Sequence, residues 1–216
     1  MTTRRSLPAL ALALLVSCAS PDSQGVAYVG ATVWDGTGSA PVPGVTIVVD
    51  GGRITAISTG SAPSGTQVVS LEGKFVIPGL IDVHAHVSGR WAPEGVTGEA
   101  DRIRGDLELF AKYGVTTVNS LGDGEAAIAV RDAASPTDPR ARLLASGAVV
   151  AGDEAAAVRA AAISRADAGV DWLKLRVDDN LGSSQKMPWD AVQAVLDVGE
   201  ERGLRVATHL FYLDDA

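Results

Sequence analysis

Cysteine and positive charge are both scarce in this sequence. Its 216 residues include a single cysteine, which excludes an intrachain disulfide. The 18 Lys and Arg residues stand against 26 Asp and Glu residues, for a net charge of -8. No cluster of Lys or Arg follows Arg4 and Arg5, and this argues against a nucleic-acid partner held by its phosphates. The 46% hydrophobic content is nevertheless typical of a chain that folds around a core.

The apolar run at residues 7–16 has the length of an export signal and is too short to cross a bilayer. Residues 15–18 resemble the bacterial lipobox, in which the cysteine, here Cys18, is acylated and becomes the mature N-terminus. An ordinary signal peptide that happens to contain a cysteine is the alternative. We therefore predict a lipoprotein signal peptide at residues 1–18, followed by a polar tether at residues 19–25, with the acyl chains as the membrane anchor.

Two different patterns follow the predicted tether. Residues 26–77 contain short β-rich runs broken by turn residues, with a hairpin signal at residues 50–52, and they predict a small, incomplete β-sandwich domain. Residues 78–216 repeat a strand, a loop and a helix. The predicted strands are 80–86, 115–120, 142–146, 171–177 and 205–210, and the predicted helices are 99–113, 125–133, 153–168 and 188–202.

Alternating strands and helices predict parallel strands joined by right-handed crossovers. About five strands fit into residues 78–216, whereas a closed (β/α)8 barrel takes about 250 residues. The pattern alone leaves two architectures, an open doubly wound sheet or part of a TIM barrel. A flavodoxin-like open sheet is disfavoured because no glycine-rich phosphate loop follows its first strand.

The three histidines of the chain all stand at or near the ends of predicted parallel strands, where α/β proteins place their active sites. His84 and His86 are two positions apart, so both imidazoles of an extended strand point to the same side and can share one cation. Asp82 has the same parity and is a candidate to orient an imidazole from behind. The alternative is a pair of ordinary polar residues near a strand end. His209 ends the last predicted strand.

Residues 76–86 closely resemble the segment that opens the barrel in the amidohydrolase superfamily, where a small β domain precedes it and the two histidines bind the more buried metal. The resemblance continues through residues 113–118, 142–147 and 169–174. It is strongest to the peptidase-type branch, with its prolidase-like and Xaa-Arg dipeptidase-like members. It implies a partial TIM (β/α)8 barrel of about five strands, preceded by the small β-sandwich domain.

Alternation in the strand around Lys174 places this lysine and Arg176 on the barrel face. A buried ammonium is costly, and near metal ions the neutral amine can take up carbon dioxide to form an anionic carbamate that bridges two ions. The resembling branch uses its strand-four lysine in this way. The alternative is a lysine that reaches the rim or pairs with Asp178 or Asp179. The resemblance also implies that His209 binds the more exposed metal.

The resemblance thus implies a metal-dependent hydrolase that cleaves amide or peptide bonds in small substrates with a metal-activated hydroxide. Its cofactors would be two divalent ions, preferably Zn²⁺, although other transition metals suit the same ligands. Arg176 is a candidate to hold a substrate carboxylate, unless it pairs with Asp178 or Glu201. Homo-oligomerisation is left open. The predicted metal ligands are His84, His86, Lys174 and His209.

Two departures from the family pattern bear on activity. Many relatives carry Arg-Asp where this chain has Asn119 and Ser120, and the sequence ends seven residues after His209, before the metal-binding histidine of strand six and the catalytic aspartate of strand eight. We therefore expect the 216-residue chain to be inactive by itself. A non-catalytic, lipid-anchored binding protein or an inactive fragment of the same fold is the alternative.

The predicted acylation site gives the first test. Replacing Cys18 with Ser removes the thiol that would be acylated, so palmitate incorporation should be lost and the protein should leave the membrane fraction or stay uncleaved. Ala19, rather than Asp, follows the cysteine, which favours sorting to the outer membrane, facing the periplasm. Unchanged labelling and fractionation in the variant would contradict the lipoprotein prediction.

Overall fold

The structure is a computed structural model that describes residues 25–88 and 94–216. The predicted signal peptide with Cys18, and all but the last residue of the predicted tether, lie outside the described residues. The chain divides between Ile77 and Pro78 into two compact units. Within the described ranges, no helix combines the length and the apolar character needed to cross a membrane.

The first unit contains one mixed sheet of five strands in its described residues 25–77. The strands are β1 (Val26–Val33), β2 (Val42–Asp50), β3 (Arg53–Thr59), β4 (Gln67–Ser70) and β5 (Phe75–Val76). Strands β1, β2 and β3 pair antiparallel in sequence, and both β4 and β5 pair parallel to β1. The described residues 25–77 thus form one sheet, whereas the sequence predicted an incomplete β-sandwich, and the second layer of a sandwich is not found among them.

The predicted hairpin at residues 50–52 is confirmed. Asp50 pairs with Arg53, and the two residues between them, Gly51 and Gly52, have φ angles of 56° and 74°. Positive φ at both central positions is the geometry of a two-residue type I′ turn, whose twist matches the strands that it joins. Glycine adopts these angles without the steric cost of a side chain.

The second unit alternates strands and helices as predicted. Its strands are β6 (Leu80–Ala85), β7 (Val115–Ser120), β8 (Arg142–Ala145), β9 (Trp172–Arg176) and β10 (Arg205–His209). Its helices are α1 (Glu99–Lys112), α2 (Glu125–Asp132), α3 (Ala155–Asp167) and α4 (Trp189–Arg202), and a short 3-10 turn, Leu213–Asp215, follows β10. Pro188 and the left-handed Gly203, with φ 65°, bound α4, as Pro at a helix start and Gly after a helix end commonly do.

The five strands of the second unit neighbour one another in chain order. Strands β6, β7 and β8 form one parallel group, and β9 and β10 form another. Main-chain hydrogen bonds join the two groups, from the Asp171 amide to the Ala145 carbonyl at 2.8 Å and from the Val150 amide to the Lys174 carbonyl at 2.7 Å. A flavodoxin-like sheet would exchange its first two strands. The observed order is that of a TIM barrel, so the predicted partial barrel is confirmed.

Strand β9 shows how the barrel separates its two faces. Leu173 and Leu175 are fully buried in the hydrophobic core, which they share with buried residues of α1, α2, α3 and α4. The residue between them, Lys174, is 3% exposed and lines a cavity instead. The predicted alternation in this strand is confirmed, and it directs the lysine away from the core.

Gly79 gives a test of the pairing between β6 and β7. A Cβ atom at this position would lie 2.7 Å from the Cβ of Thr116 and collide with the rest of that side chain. We expect Gly79→Ala to reduce the free energy of unfolding by about 1–3 kcal/mol, the usual cost of overpacking. Gly60→Ala is the matched control, because Gly60 has open space and no positive φ. Equal urea-denaturation midpoints for the two variants would contradict this close approach.

Candidate active site

The carboxyl ends of the parallel strands surround a cavity of about 190 Å³ in the second unit. His86, Lys174 and His209 line it together with Arg176, and the remaining lining residues are Leu121, Val149 and Asn180. Because parallel strands in neighbouring positions end at the same edge, residues far apart in the sequence meet here. The structure thus brings three of the four predicted metal ligands to one cavity.

His84 stands beside this group, at the end of β6. Its ring centroid lies 5.5 Å from that of His86, with the two planes tilted by 54°. Desolvation lowers the pKa of the His84 imidazole, and the nearby charges of Lys174, His86 and His209 lower it further. All four predicted ligands therefore share one electrostatic environment. A lowered pKa keeps the imidazole neutral, which is the form that binds metal ions.

Lys174 is a buried lysine of β9. Its Nζ makes no hydrogen bond or ion pair with any residue that the structure describes, and burial lowers the pKa of the amine. The two carboxylates that the sequence offered as alternative partners each accept a hydrogen bond from another group through one oxygen. Asp178 accepts a hydrogen bond from the Asn180 amide at 2.7 Å, and Asp179 accepts one from the Tyr212 hydroxyl at 2.9 Å.

Arg176 also forms no ion pair within residues 25–88 and 94–216. Of its two proposed carboxylate partners, Glu201 pairs with Arg159 at 2.7 Å, and Asp178 faces His209. Arg176 lines both the central cavity and a neighbouring one of about 390 Å³. It is therefore placed to reach a ligand that extends from one cavity into the other.

Asp82 has a different contact from the one that the sequence suggested. Its Oδ1 accepts a hydrogen bond from the backbone amide of His84 at 3.1 Å. The carboxylate thus binds the main chain at the peptide group that precedes the His84 side chain, whereas the sequence predicted a partner for an imidazole. The two-residue spacing that the sequence does show allows either contact.

Two buried aspartates, Asp123 and Asp178, face the site and were not predicted to orient its histidines. An Asp123 Oδ1 lies 4.0 Å from the His86 Nδ1, and an Asp178 Oδ2 lies 3.7 Å from the His209 Nε2. Their side chains are only 6% and 0% exposed. Burial raises the pKa of the Asp123 carboxyl, and the charge of His86 opposes that rise. Each aspartate follows the end of a parallel strand, which is the one signal in the sequence that could have identified it.

Asn119 and Ser120, which depart from the Arg-Asp of many relatives, hold the chain around the histidine pair. The Asn119 side-chain amide donates to the Val83 carbonyl at 3.2 Å, and the Ser120 hydroxyl accepts from the Val87 amide at 3.0 Å. These bonds flank the histidines on both sides. The two polar side chains therefore have a positioning role at the end of β6.

Comparisons with known proteins agree with this geometry. A sequence model described as "Amidohydrolase family" matches residues 75–216. The adenine deaminase of Paracoccus denitrificans (strain Pd 1222) is 43% identical over 58 residues, which are 25% of this chain and 10% of that protein.

Solved structures resemble the chain over most of its length. A Xaa-Pro dipeptidase with bound methionine in its active site has a TM-score of 0.75 at 24% identity, over 88% of this chain and 58% of the dipeptidase. Molinate hydrolase has a TM-score of 0.75 at 21% identity, over 89% of this chain and 55% of that protein. The chain thus spans little more than half of these structures, whose likeness shows the fold. Since the family model covers well over half of its residues, the chain belongs to the amidohydrolase family.

Proposed function

We propose that this chain carries the metal ligands of a hydrolase that cleaves carbon–nitrogen bonds in small amides or peptides. The observation that supports the proposal most is Lys174, a buried amine that has no partner among the described residues and lines a cavity together with two histidines. An unpaired ammonium is costly in such a place, and a structural role in the core would have been served better by an apolar side chain.

The donor set fits two divalent ions, preferably Zn²⁺. Within the described ranges, no three His, Cys, Asp or Glu side chains are grouped closely enough to hold one ion. His84, His86 and His209, together with Lys174 as its carbamate, would hold the ions. When bound, the ions supply Lewis-acid activation of water and of the scissile carbonyl.

Carbamate formation needs the properties that the structure gives Lys174. The neutral amine forms a bond from its nitrogen to the carbon of carbon dioxide, and one proton leaves for the solvent, so the product carries one negative charge. Burial lowers the pKa of the Lys174 amine, which raises the share of the neutral form at a given pH. The carbamate then replaces a costly cation with an anion that two metal ions can neutralise.

Arg176 would define one end of the substrate. Its guanidinium has no partner among the described residues and lies at the cavity that contains Lys174 and His209, so a substrate carboxylate can take both of its parallel donors. One structural neighbour is, by its own description, a Xaa-Pro dipeptidase, and this supports a peptide with a free carboxylate as the substrate class. A lipid anchor at Cys18 would hold the enzyme at the membrane.

Lys174→Ala tests the metal centre in the full-length protein. With Zn²⁺ and ¹³C-bicarbonate present, the wild-type protein should show a carbamate ¹³C resonance, bind two zinc ions and hydrolyse substrate. The variant should lose the resonance, the second ion and the activity, because the bridging oxygens are gone, and short carboxylic acids should restore part of the zinc. Lys112→Ala, at the exposed end of α1, should behave as the wild type. If the Lys174→Ala variant binds both zinc ions, the proposed carbamate is contradicted.

Arg176→Gln tests the substrate class. The loss of a hydrogen bond to a charged group costs about 1.5–3 kcal/mol, so KM for peptides with a free terminal carboxylate should rise at least about tenfold. Peptides that end in an amide should be hydrolysed equally well by variant and wild type. Arg53→Gln, in the β3 strand of the other unit, is the control and should change neither value. A loss of equal size for both kinds of peptide would argue against carboxylate recognition by Arg176.

A further inference from the structure

The two buried aspartates of the site have the same relation to two different histidines. Asp123 follows β7 and faces Nδ1 of His86, and Asp178 follows β9 and faces Nε2 of His209. The carboxylates belong to different loops, and each lies against the imidazole of another strand. This repeated arrangement indicates that the two carboxylates have the same structural role.

Each carboxylate has an oxygen that needs a donor. Among the residues that the structure describes, Asp123 Oδ2 and Asp178 Oδ2 are buried and have no hydrogen-bond partner. A buried oxygen without a donor is costly, and native proteins satisfy almost all such groups. The oxygen nearest the imidazole nitrogen is Oδ1 in Asp123, at 4.0 Å, and Oδ2 in Asp178, at 3.7 Å. Both separations are longer than a hydrogen bond, and in Asp178 the oxygen that faces the ring is also the one without a donor among the described residues.

Gly122 shows that the loop containing Asp123 packs closely against the His86 ring. A Cβ atom at this position would lie 2.8 Å from Cγ2 of Val149 and 3.7 Å from Cε1 of the His86 ring. The φ angle of Gly122 is 111°, a conformation that other residues rarely adopt. A glycine directly before Asp123 therefore lets the loop approach the ring closely.

We propose that Asp123 holds His86 with its proton on Nδ1, and that Asp178 holds His209 with its proton on Nε2. A neutral imidazole has one N–H donor and one lone pair, and the nitrogen that faces a carboxylate carries the proton. The lone pairs left for a ligand are then Nε2 of His86 and Nδ1 of His209. Asp123 and Asp178 are positioning residues, because they act through the two histidines.

The consequence for metal binding rests on the proposed function, whereas the two tautomers are a property of the metal-free protein. His86 is the more diagnostic of the two, since a histidine in water favours the proton on Nε2. A carboxylate that orients a ligating imidazole typically contributes about 10–100-fold to metal affinity. Both aspartates should therefore affect zinc binding without touching the ion.

The test is long-range ¹H–¹⁵N NMR of the metal-free protein, labelled at its histidines, at about pH 8, where an ordinary imidazole with a pKa near 6.5 is neutral. The chain has only three histidines, so single His→Gln variants assign every signal. We expect His86 as the Nδ1–H tautomer and His209 as the Nε2–H tautomer. Asp123→Ala should return His86 to mainly Nε2–H, and Asp178→Ala should leave His209 as a mixture.

Controls separate this effect from a loss of structure. Asp123→Asn and Asp178→Asn keep the side-chain volume, remove the charge and replace one acceptor oxygen with an NH2 donor, so they should weaken the bias of each histidine in a folded protein. Asp101→Ala, which removes a 67% exposed carboxylate on α1, should leave all three histidines unchanged. A wild-type His86 with its proton on Nε2, or tautomers that no aspartate variant alters, would overturn the proposal.

Adding Zn²⁺ to the full-length protein distinguishes this inference from the proposed function. Zinc should shift the Nε2 resonance of His86 and the Nδ1 resonance of His209, and its affinity should fall about 10–100-fold in either Asp→Asn variant. If the tautomers are as expected but zinc shifts neither nitrogen, the positioning role stands and the metal centre fails. If zinc binds through Nδ1 of His86, the metal centre stands and the positioning role fails.

Discussion

The candidate site depends on main-chain hydrogen bonding between parallel strands that neighbour one another in chain order. Between β8 and β9 the ladder continues through Val150, whose amide donates to the Lys174 carbonyl and whose carbonyl accepts from the Arg176 amide. These bonds continue one curved sheet across the gap between its two paired groups. Since every strand runs the same way, all carboxyl ends reach one edge, where the histidines and the lysine lie.

The same pairing explains how a lysine comes to be buried. Leu173 and Leu175 enter the core from one face of β9, and each fully buried leucine contributes about 1.5–3 kcal/mol. Alternation then places Lys174 on the opposite face, where its amine has no partner among the described residues. The apolar core thus holds a costly group in position, which is the usual relation between a stable scaffold and a reactive site.

Polar side chains near the ends of β6, β7 and β9 organise the histidines in turn. Asn119 and Ser120 bind the main chain on either side of His84 and His86, while Asp82 accepts a hydrogen bond from the His84 amide. Buried carboxylates beyond β7 and β9 face the imidazoles. A chain that lacks the Arg-Asp pair of many relatives therefore holds its histidines by a different set of contacts. Pre-organisation of this kind is what a metal site needs before the ion arrives.

The sequence by itself determined the features that depend on neighbours a few positions away. These include the type I′ hairpin at Gly51 and Gly52, the alternation around Lys174 and the bounds of α4, because local periodicity and backbone preference are encoded within one turn or one pleat. The family resemblance added the barrel and the predicted ligands.

Only the tertiary structure decided how distant residues meet. In the structure, Asp123 faces His86 and Asp178 faces His209. Lys174 and Arg176 form no ion pair within the described ranges. The carboxylate of Asp82 accepts a hydrogen bond from a backbone amide. Such contacts depend on how loops from separate strands pack at the barrel edge. An aspartate after a strand looks the same in sequence whether it caps a turn, pairs with a cation or orients an imidazole.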